Sequence, residues 1–186
     1  MKMKSEKLGS SKILNILLKP AGLSMGSSLR KRLMNPVITL QAADVKPGEI
    51  ILEVGCGTGF FTIPAAQMIG DKGHLIAMDV MSGYLEQVSQ KVQTAGLKNV
   101  ELIKRDALNT GLESESIDKV LLFGVLPFPS LPLNRLLPEM HRVLKPDGSL
   151  AVWMFPVSFG VPTMISKSGL FSYINKKKGV YNYTRC

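Results

Sequence analysis

Residues 53–59 read Glu-Val-Gly-Cys-Gly-Thr-Gly, directly behind the apolar run Ile50-Ile51-Leu52. An acidic strand end that breaks into three alternating glycines is compatible with few folds. Glycine lets the backbone turn tightly with no Cβ in the way. The turn then runs into a helical pattern from Phe60-Phe61-Thr62 onward. That leaves backbone N–H groups at a helix start facing a polar or anionic ligand group. Strand, glycine turn and helix together form the nucleotide-binding corner of an open parallel α/β sheet.

The rest of the chain extends this pattern. Apolar runs predict strands at 50–54, 74–79, 100–105, 118–123 and 149–155, with helices between them near 60–69, 82–95 and 132–144. Such alternation argues for a parallel sheet covered on both faces. The tail differs. A short helix is expected at 163–168, then two strands, Ser172–Lys176 and Val180–Arg185, joined by a Lys-Lys-Gly turn. A mostly parallel sheet therefore finishes with an antiparallel pair. Upstream, helices are expected at 11–19 and from Ser27 or Ser28 to a break near Asn35-Pro36. Val37–Ala43 reads as a lead-in to the turn Lys46-Pro47-Gly48.

Charge divides the chain. Of a net +9, residues 1–35 carry eight Lys/Arg against the single acid Glu6, so the remaining 151 residues are nearly neutral. No apolar run approaches the ~20 residues of a membrane span. The two cysteines, Cys56 and Cys186, form no disulfide framework and no metal-ligand spacing. A reducing, cytoplasmic setting is expected.

In an open α/β sheet, ligands bind outside the carboxyl ends of the strands. Three acids fall there: Glu53, Asp79 and Asp106. Asp79 follows Gly59 by twenty residues, the place from which a carboxylate reaches both hydroxyls of a ribose. Asp106 can accept from an exocyclic amine. The set describes a pocket for an adenosine with a small zwitterionic or cationic tail, since a diphosphate would fit poorly beside Glu53. The dinucleotide template fails as well, because its third glycine position is Phe60.

Glu53–Gly59, Asp79, Asp106-Ala107, the strand after Ser116-Ile117-Asp118, and His141-Arg-Val-Leu-Lys-Pro-Asp-Gly148 together resemble the successive motifs of class I S-adenosylmethionine-dependent methyltransferases. Within that family the set is similar to the branch that includes quinone-biosynthesis and other small-molecule enzymes. The resemblance covers roughly residues 36–186. It implies a Rossmann-like, doubly wound, mostly parallel seven-stranded sheet with an antiparallel last strand, and S-adenosyl-L-methionine as cofactor, released as S-adenosyl-L-homocysteine. It also implies roles residue by residue. Glu53 and Gly55, Gly57 and Gly59 would hold the methionine part, with Cys56, Thr58 and Phe60 of the same turn beside it. Asp79 would hold the ribose. Val80 and Met81 would flank the adenine, with Asp106 and Ala107 at its polar edge. Phe123 and Gly124 would lie beneath the sulfonium. The sequence offers no candidate for a catalytic base, which a C–H, O–H or N–H acceptor would require, and no metal is expected. Asp79→Ala is expected to weaken cofactor binding while leaving the fold intact.

The acceptor is expected to be small and apolar or lipid-like, because the segments Phe123–Pro132 and Phe155–Pro162 flank the pocket mouth. Many amino-group methyltransferases carry Asn/Asp-Pro-Pro-aromatic after the fourth strand; this chain has Gly124-Val-Leu-Pro-Phe128, which disfavours base amines. Two alternatives stay open: an RNA or protein methyltransferase, motivated by the basic head, and a cofactor-binding regulator without catalysis. Nucleic acid is not an expected partner, since no basic stripe with interleaved aromatics is present. The head is expected to act as a lid; the second reading is contact with an anionic membrane surface, at ~1 kcal/mol per Lys/Arg. His141 is expected to serve a helix end, His74 to lie at the wrong sheet edge, Trp153 to be core, and Lys176-Lys177-Lys178 to be a solvated turn. Tyr84 faces either core or pocket.

Overall fold

The computed structural model describes residues 35–127, 130–154 and 160–186. The basic head, with its expected helices, and parts of both mouth segments (Phe128-Pro129 and Phe155–Phe159) lie outside the described residues. The elements run α1 (Pro36–Ala42), β1 (Ile50–Val54), α2 (Thr62–Ile69), β2 (His74–Asp79), α3 (Ser82–Thr94), β3 (Val100–Lys104), β4 (Ile117–Phe123), α4 (Leu133–Val143), β5 (Leu144–Trp153), α5 (Val161–Lys167), β6 (Phe171–Lys177) and β7 (Val180–Arg185).

The seven strands form one sheet in the order β3-β2-β1-β4-β5-β7-β6. The pairs among β1 to β5 are parallel, whereas β7 is antiparallel to both β5 and β6. From β1 the chain steps outward to β2 and β3, then returns to place β4 on the other side of β1. The strand order thus reverses between β1 and β4, and a ligand crevice belongs at the carboxyl ends there.

Strand alternation sorts the core onto two faces. Leu52, Leu122 and Val152 join Leu136, Leu137, Met140 and Val143 of α4 and Ile165 of α5 on one face. Their neighbours Ile51, Leu121 and Ala151 turn to the other, against Leu40 of α1 and Ala65, Ala66 and Ile69 of α2. Each fully buried leucine contributes about 1.5–3 kcal/mol. This double burial explains why the strands read as continuous apolar runs.

Two boundaries differ from the sequence reading by more than two residues. Residues 36–42 are helical, where a lead-in was expected. Asn35 Oδ1 accepts from the Val37 and Ile38 N–H groups, and Pro36 occupies the first helical position. Asn-Pro here starts a helix as well as ending what precedes it. Asn182 Nδ2 then ties α1 to β7 by donating to the Ala42 carbonyl at 3.0 Å. The second difference is β5, which begins at Leu144 and ends at Trp153. Leu144 pairs with Ile117, and the register shifts before Ser149 pairs with Lys119. The extra residues are pinned by Lys145 on Asp118 (2.7 Å) and Arg185 on the Leu144 carbonyl (2.7 Å). A Cβ on Gly148 would sit 2.8 Å from the Lys145 carbonyl oxygen, so only glycine fits that fold-back.

Helix α4 is held by a polar cluster with no local signature. Glu139 accepts from the Thr110 N–H (2.9 Å) and hydroxyl (2.6 Å) and from two nitrogens of Arg142 (2.8 and 2.9 Å). The Arg142 hydrogen bond, joined by those from Thr110, draws the Glu139 carboxyl down from 4.5 to about 2. A depressed carboxylate pKa stabilises the fold above the unfolded value, and that contribution disappears as pH falls from about 4.5 towards 2. Glu139→Gln is expected to lower Tm at pH 7 and to bring it close to wild type at pH 2–3; thermal melts across this range measure it. Equal melting of the two proteins at pH 7 would show that the cluster stabilises nothing.

Candidate cofactor site

The carboxyl end of β1 delivers Glu53 into a nearly closed interior, 3% exposed. Its Oε2 accepts from the Thr62 hydroxyl at 2.6 Å. Burial, offset in part by that hydrogen bond and reinforced by the negative charge of Asp79, lifts the Glu53 carboxyl to about 8. Asp79, at the end of β2, is also raised by burial, against the N–H groups that bind it. Its Oδ2 accepts from the Gly57 N–H (3.0 Å) and its Oδ1 from the Met81 N–H (2.9 Å). Asp79 therefore ties the glycine turn to the start of α3.

The turn between them is set by its glycines. Gly55 has φ 69°, and a Cβ there would fall 2.4 Å from Val125 Cγ1, so the loop after β4 packs directly on its backbone. Gly57 has φ 53° and meets nothing within 4 Å of a Cβ position, an open face on the turn. The Gly55 and Cys56 N–H groups both donate to the Met78 carbonyl (2.8 and 3.0 Å). Lys91 of α3 donates to the Thr58 carbonyl. The Thr58 hydroxyl is buried with no partner. Cys56 is buried and its thiol is pushed well up by burial and by the charges of Glu53 and Asp79, so it stays protonated and is no nucleophile.

The other expected residues take flanking places. Val80 is half-buried, and Met81 is buried at the N-cap of α3. Asp106 is part-exposed beyond β3, where its Oδ1 closes a turn on the Leu108 N–H at 2.9 Å; Ala107 is buried in the core. Gly59 and Phe60 lead into α2, the Phe60 ring edge-on to Phe61 at 5.0 Å. Phe123 turns its ring onto Phe61 at 4.9 Å and so belongs to the core, while the exposed Gly124 donates to the Trp153 carbonyl at 2.8 Å. The structure thus brings Glu53, the glycine turn and Asp79 together, with Asp106-Ala107 and Phe123-Gly124 to either side.

Tyr84 is the residue the sequence left open. Its phenol is raised by burial and then by the charge of Asp79. Its position in the first turn of α3, five residues after Asp79, was the available signal. The histidines are elsewhere: His74 meets Glu101 at 3.1 Å at the start of β2, and His141 meets the Cys186 carbonyl at 2.9 Å at the end of α4. At the amino-terminal strand edge, Lys119 is buried between Ser149 (2.7 Å) and Glu49 (3.5 Å), a structural pairing.

These residues fit an adenosine with a cationic tail. Two carboxyls both raised by burial, Glu53 further by the charge of Asp79, are eased by an ammonium or by hydroxyl donors, whereas a phosphate would add to the repulsion. The orphaned Thr58 hydroxyl leaves further polar capacity on the same turn, and the open face of Gly57 leaves room beside it. The sheet order is that of a Rossmann-like methyltransferase fold.

Comparison with known proteins gives the same class. A family model described as a methyltransferase domain matches residues 51–148. The chain is 35% identical over 128 residues to the demethylmenaquinone methyltransferase of Bacillus cereus (strain ATCC 10987 / NRS 248), covering 68% of this chain and 52% of that protein. The protein of the same name from Bacillus anthracis (strain A0248) matches equally, 35% over 128 residues with the same coverage of 68% and 52%. The chain thus spans about half the length of the curated relatives it matches. A solved S-adenosylmethionine-dependent methyltransferase from Aquifex aeolicus superimposes with a TM-score of 0.77 at 25% identity, over 89% of this chain and 96% of that one. The [4+2]-cyclase SpnF shares the fold at 18% identity and TM-score 0.73, over 92% of this chain and 74% of that chain. The chain belongs to the class I S-adenosylmethionine-dependent methyltransferase family.

Proposed function

We propose that the chain transfers a methyl group from S-adenosyl-L-methionine to a small, apolar or lipid-like acceptor, with a quinone-type ring as the leading class. The observation that carries the cofactor half of this reading is the buried Glu53–Asp79 pair around the glycine turn. The acceptor half is supported by the name of the relatives, demethylmenaquinone methyltransferase, and by Val125, an apolar side chain packed on the backbone of Gly55.

Glu53 would receive the ammonium of the methionine part, and Thr58 would offer its unpaired hydroxyl to the same part. Asp79 would accept from the ribose hydroxyls, already oriented by Gly57 and Met81. Val80, Met81 and Tyr84 would border the adenine, and Asp106 and Ala107 its outer edge. The cofactor, when bound, supplies an electrophilic methyl on a sulfonium. The chain's own contribution is to orient and to exclude water, and orientation alone lowers a barrier by up to about 7–11 kcal/mol. Gly124 would keep the floor close and without a side chain. The basic head would close over the mouth as a lid.

The test is to incubate the protein with methyl-labelled cofactor and fractionated extract of its source cells. Label is expected in the organic-soluble fraction, and in added quinol. Label in the polymer fraction would replace the acceptor reading with RNA or protein. Cofactor binding with no label in any fraction would replace it with a non-catalytic role.

A further inference from the structure

Thr62 enters the sequence reading only as one of the residues that open a helix; its side chain does more. It is the first residue of α2 and fully buried, and its hydroxyl donates to Glu53 Oε2, nine residues back, at 2.6 Å. A threonine hydroxyl early in a helix can turn back to the carbonyl four residues before it. Here that carbonyl belongs to Thr58 and already accepts from Lys91 of α3. The Thr62 hydroxyl is directed to the end of β1 instead. The last glycine of the turn passes close to the bond, since a Cβ on Gly59 would lie 3.7 Å from Thr62 Oγ1.

Among the described residues, Thr62 is the single hydrogen-bond partner of the Glu53 carboxyl; it occupies Oε2 and leaves Oε1 for a ligand. Glutamate is among the side chains that lose most rotamer freedom when fixed, whereas threonine is stiff at χ1. The short side chain therefore lends its direction to the long one. It also sets the charge. Burial lifts the Glu53 carboxyl to about 8, and the Thr62 hydrogen bond works against that rise, as a donor to the ionised form must. Nothing else around Glu53 does the same. Asp79 faces it from β2 and disfavours its charge, and the Cys56 thiol of the turn stays protonated. The neighbouring strands set Ala77 and Leu121 opposite it, neither of them titratable. From α3, Lys91 gives its ammonium to the Thr58 carbonyl.

We propose that Thr62 is the positioning residue for the methionine part of the cofactor: its hydroxyl holds Glu53 by one oxygen so that the other is presented to the ammonium. The proposal rests on the reading of Glu53 as the partner of that ammonium and adds the residue through which the contact is aimed.

Two variants test it. Thr62→Val keeps the branched shape and removes the donor, and Thr62→Ser keeps the donor and removes the methyl. Two quantities are followed in wild type and both variants. One is the titration of Glu53, read by NMR of isotope-labelled glutamate carboxyls and assigned by its disappearance in Glu53→Gln. The other is the affinity for S-adenosylhomocysteine by calorimetry between pH 6 and 8. In Thr62→Val the Glu53 midpoint is expected to rise by about one pH unit, the scale of one hydrogen bond to a charged group. The affinity profile should move up with it, with binding weaker by about five- to tenfold at pH 8 and little changed at pH 6. Thr62→Ser should restore both. A midpoint and a profile that do not move in Thr62→Val would overturn the proposal. So would a raised midpoint with unchanged binding, which would confine Thr62 to the framework of the turn. A loss of affinity equal in both variants and independent of pH would mark a packing defect and overturn it too. A wild type that binds no S-adenosylhomocysteine at any pH would instead remove the cofactor reading itself, and the proposal with it.

Discussion

Asp79→Ala is expected to weaken S-adenosylhomocysteine binding about a hundredfold: two charge-assisted hydrogen bonds to ribose hydroxyls, at roughly 1.5 kcal/mol each, set that scale. The structure adds an effect that the sequence reading did not include. That reading expected the fold to stay intact, but Asp79 holds the Gly57 and Met81 N–H groups. Alanine leaves both without their acceptor, at a cost of roughly 1–3 kcal/mol. For a chain of this size that is a Tm loss of about 2–4 °C per kcal/mol. Asp79→Asn separates the two effects, because its amide keeps one acceptor oxygen for the turn while losing the charge. Calorimetric titration and melting curves of both variants decide the matter. A full-strength complex in Asp79→Ala would remove Asp79 from the cofactor site. Loss of affinity in alanine but not in asparagine would make Asp79 a brace for the turn rather than a ligand.

Glu53, the glycine turn and Asp79 were legible from sequence because their geometry is local or set by strand ends. A strand terminus points its last residues at one sheet edge whatever the helices do, so acids at the ends of β1 and β2 had to meet. The antiparallel finish was legible from equally local signals, since a tight Lys-Lys-Gly turn between short strands allows no other pairing. Features that depend on partners far along the chain were not. Glu139 and Thr110 are 29 residues apart and neither stands in a motif. Tyr84 could face core or pocket because a helix phase error of one residue, about 100°, decides it. Asn35-Pro36 was legible in principle but ambiguous, because the same dipeptide disfavours helix before it and starts one after it. Trp153 was expected in the core, and it packs part-buried on Phe61 against the cluster shared by α1, α2 and the strands.

Glu53 should make cofactor binding depend on pH near neutrality, where an ordinary carboxylate, already ionised, would leave it flat. In the free protein its carboxyl is raised from 4.5 to about 8, chiefly by burial, so at pH 7 it is mostly protonated. A folded-state pKa above the unfolded one means that the folded chain holds a proton the unfolded chain lacks between these values. Stability is then greatest below about 4.5 and falls as pH rises towards 8, with a limiting slope of about 1.4 kcal/mol per pH unit. A ligand ammonium favours the ionised form, so binding should expel the proton. Affinity for S-adenosylhomocysteine is expected to rise between pH 6 and 8, by up to about tenfold per unit. Titrations in buffers of different ionisation enthalpy should register the released proton. Glu53→Gln keeps the shape and an acceptor for the Thr62 hydroxyl while removing the titration. It should flatten both the affinity profile and the fall in stability, binding much more weakly than wild type at pH 8 and nearly as well at pH 6. A wild-type affinity that does not change over this range, matched by the Gln variant, would show that Glu53 faces no cation and belongs to the framework of the turn.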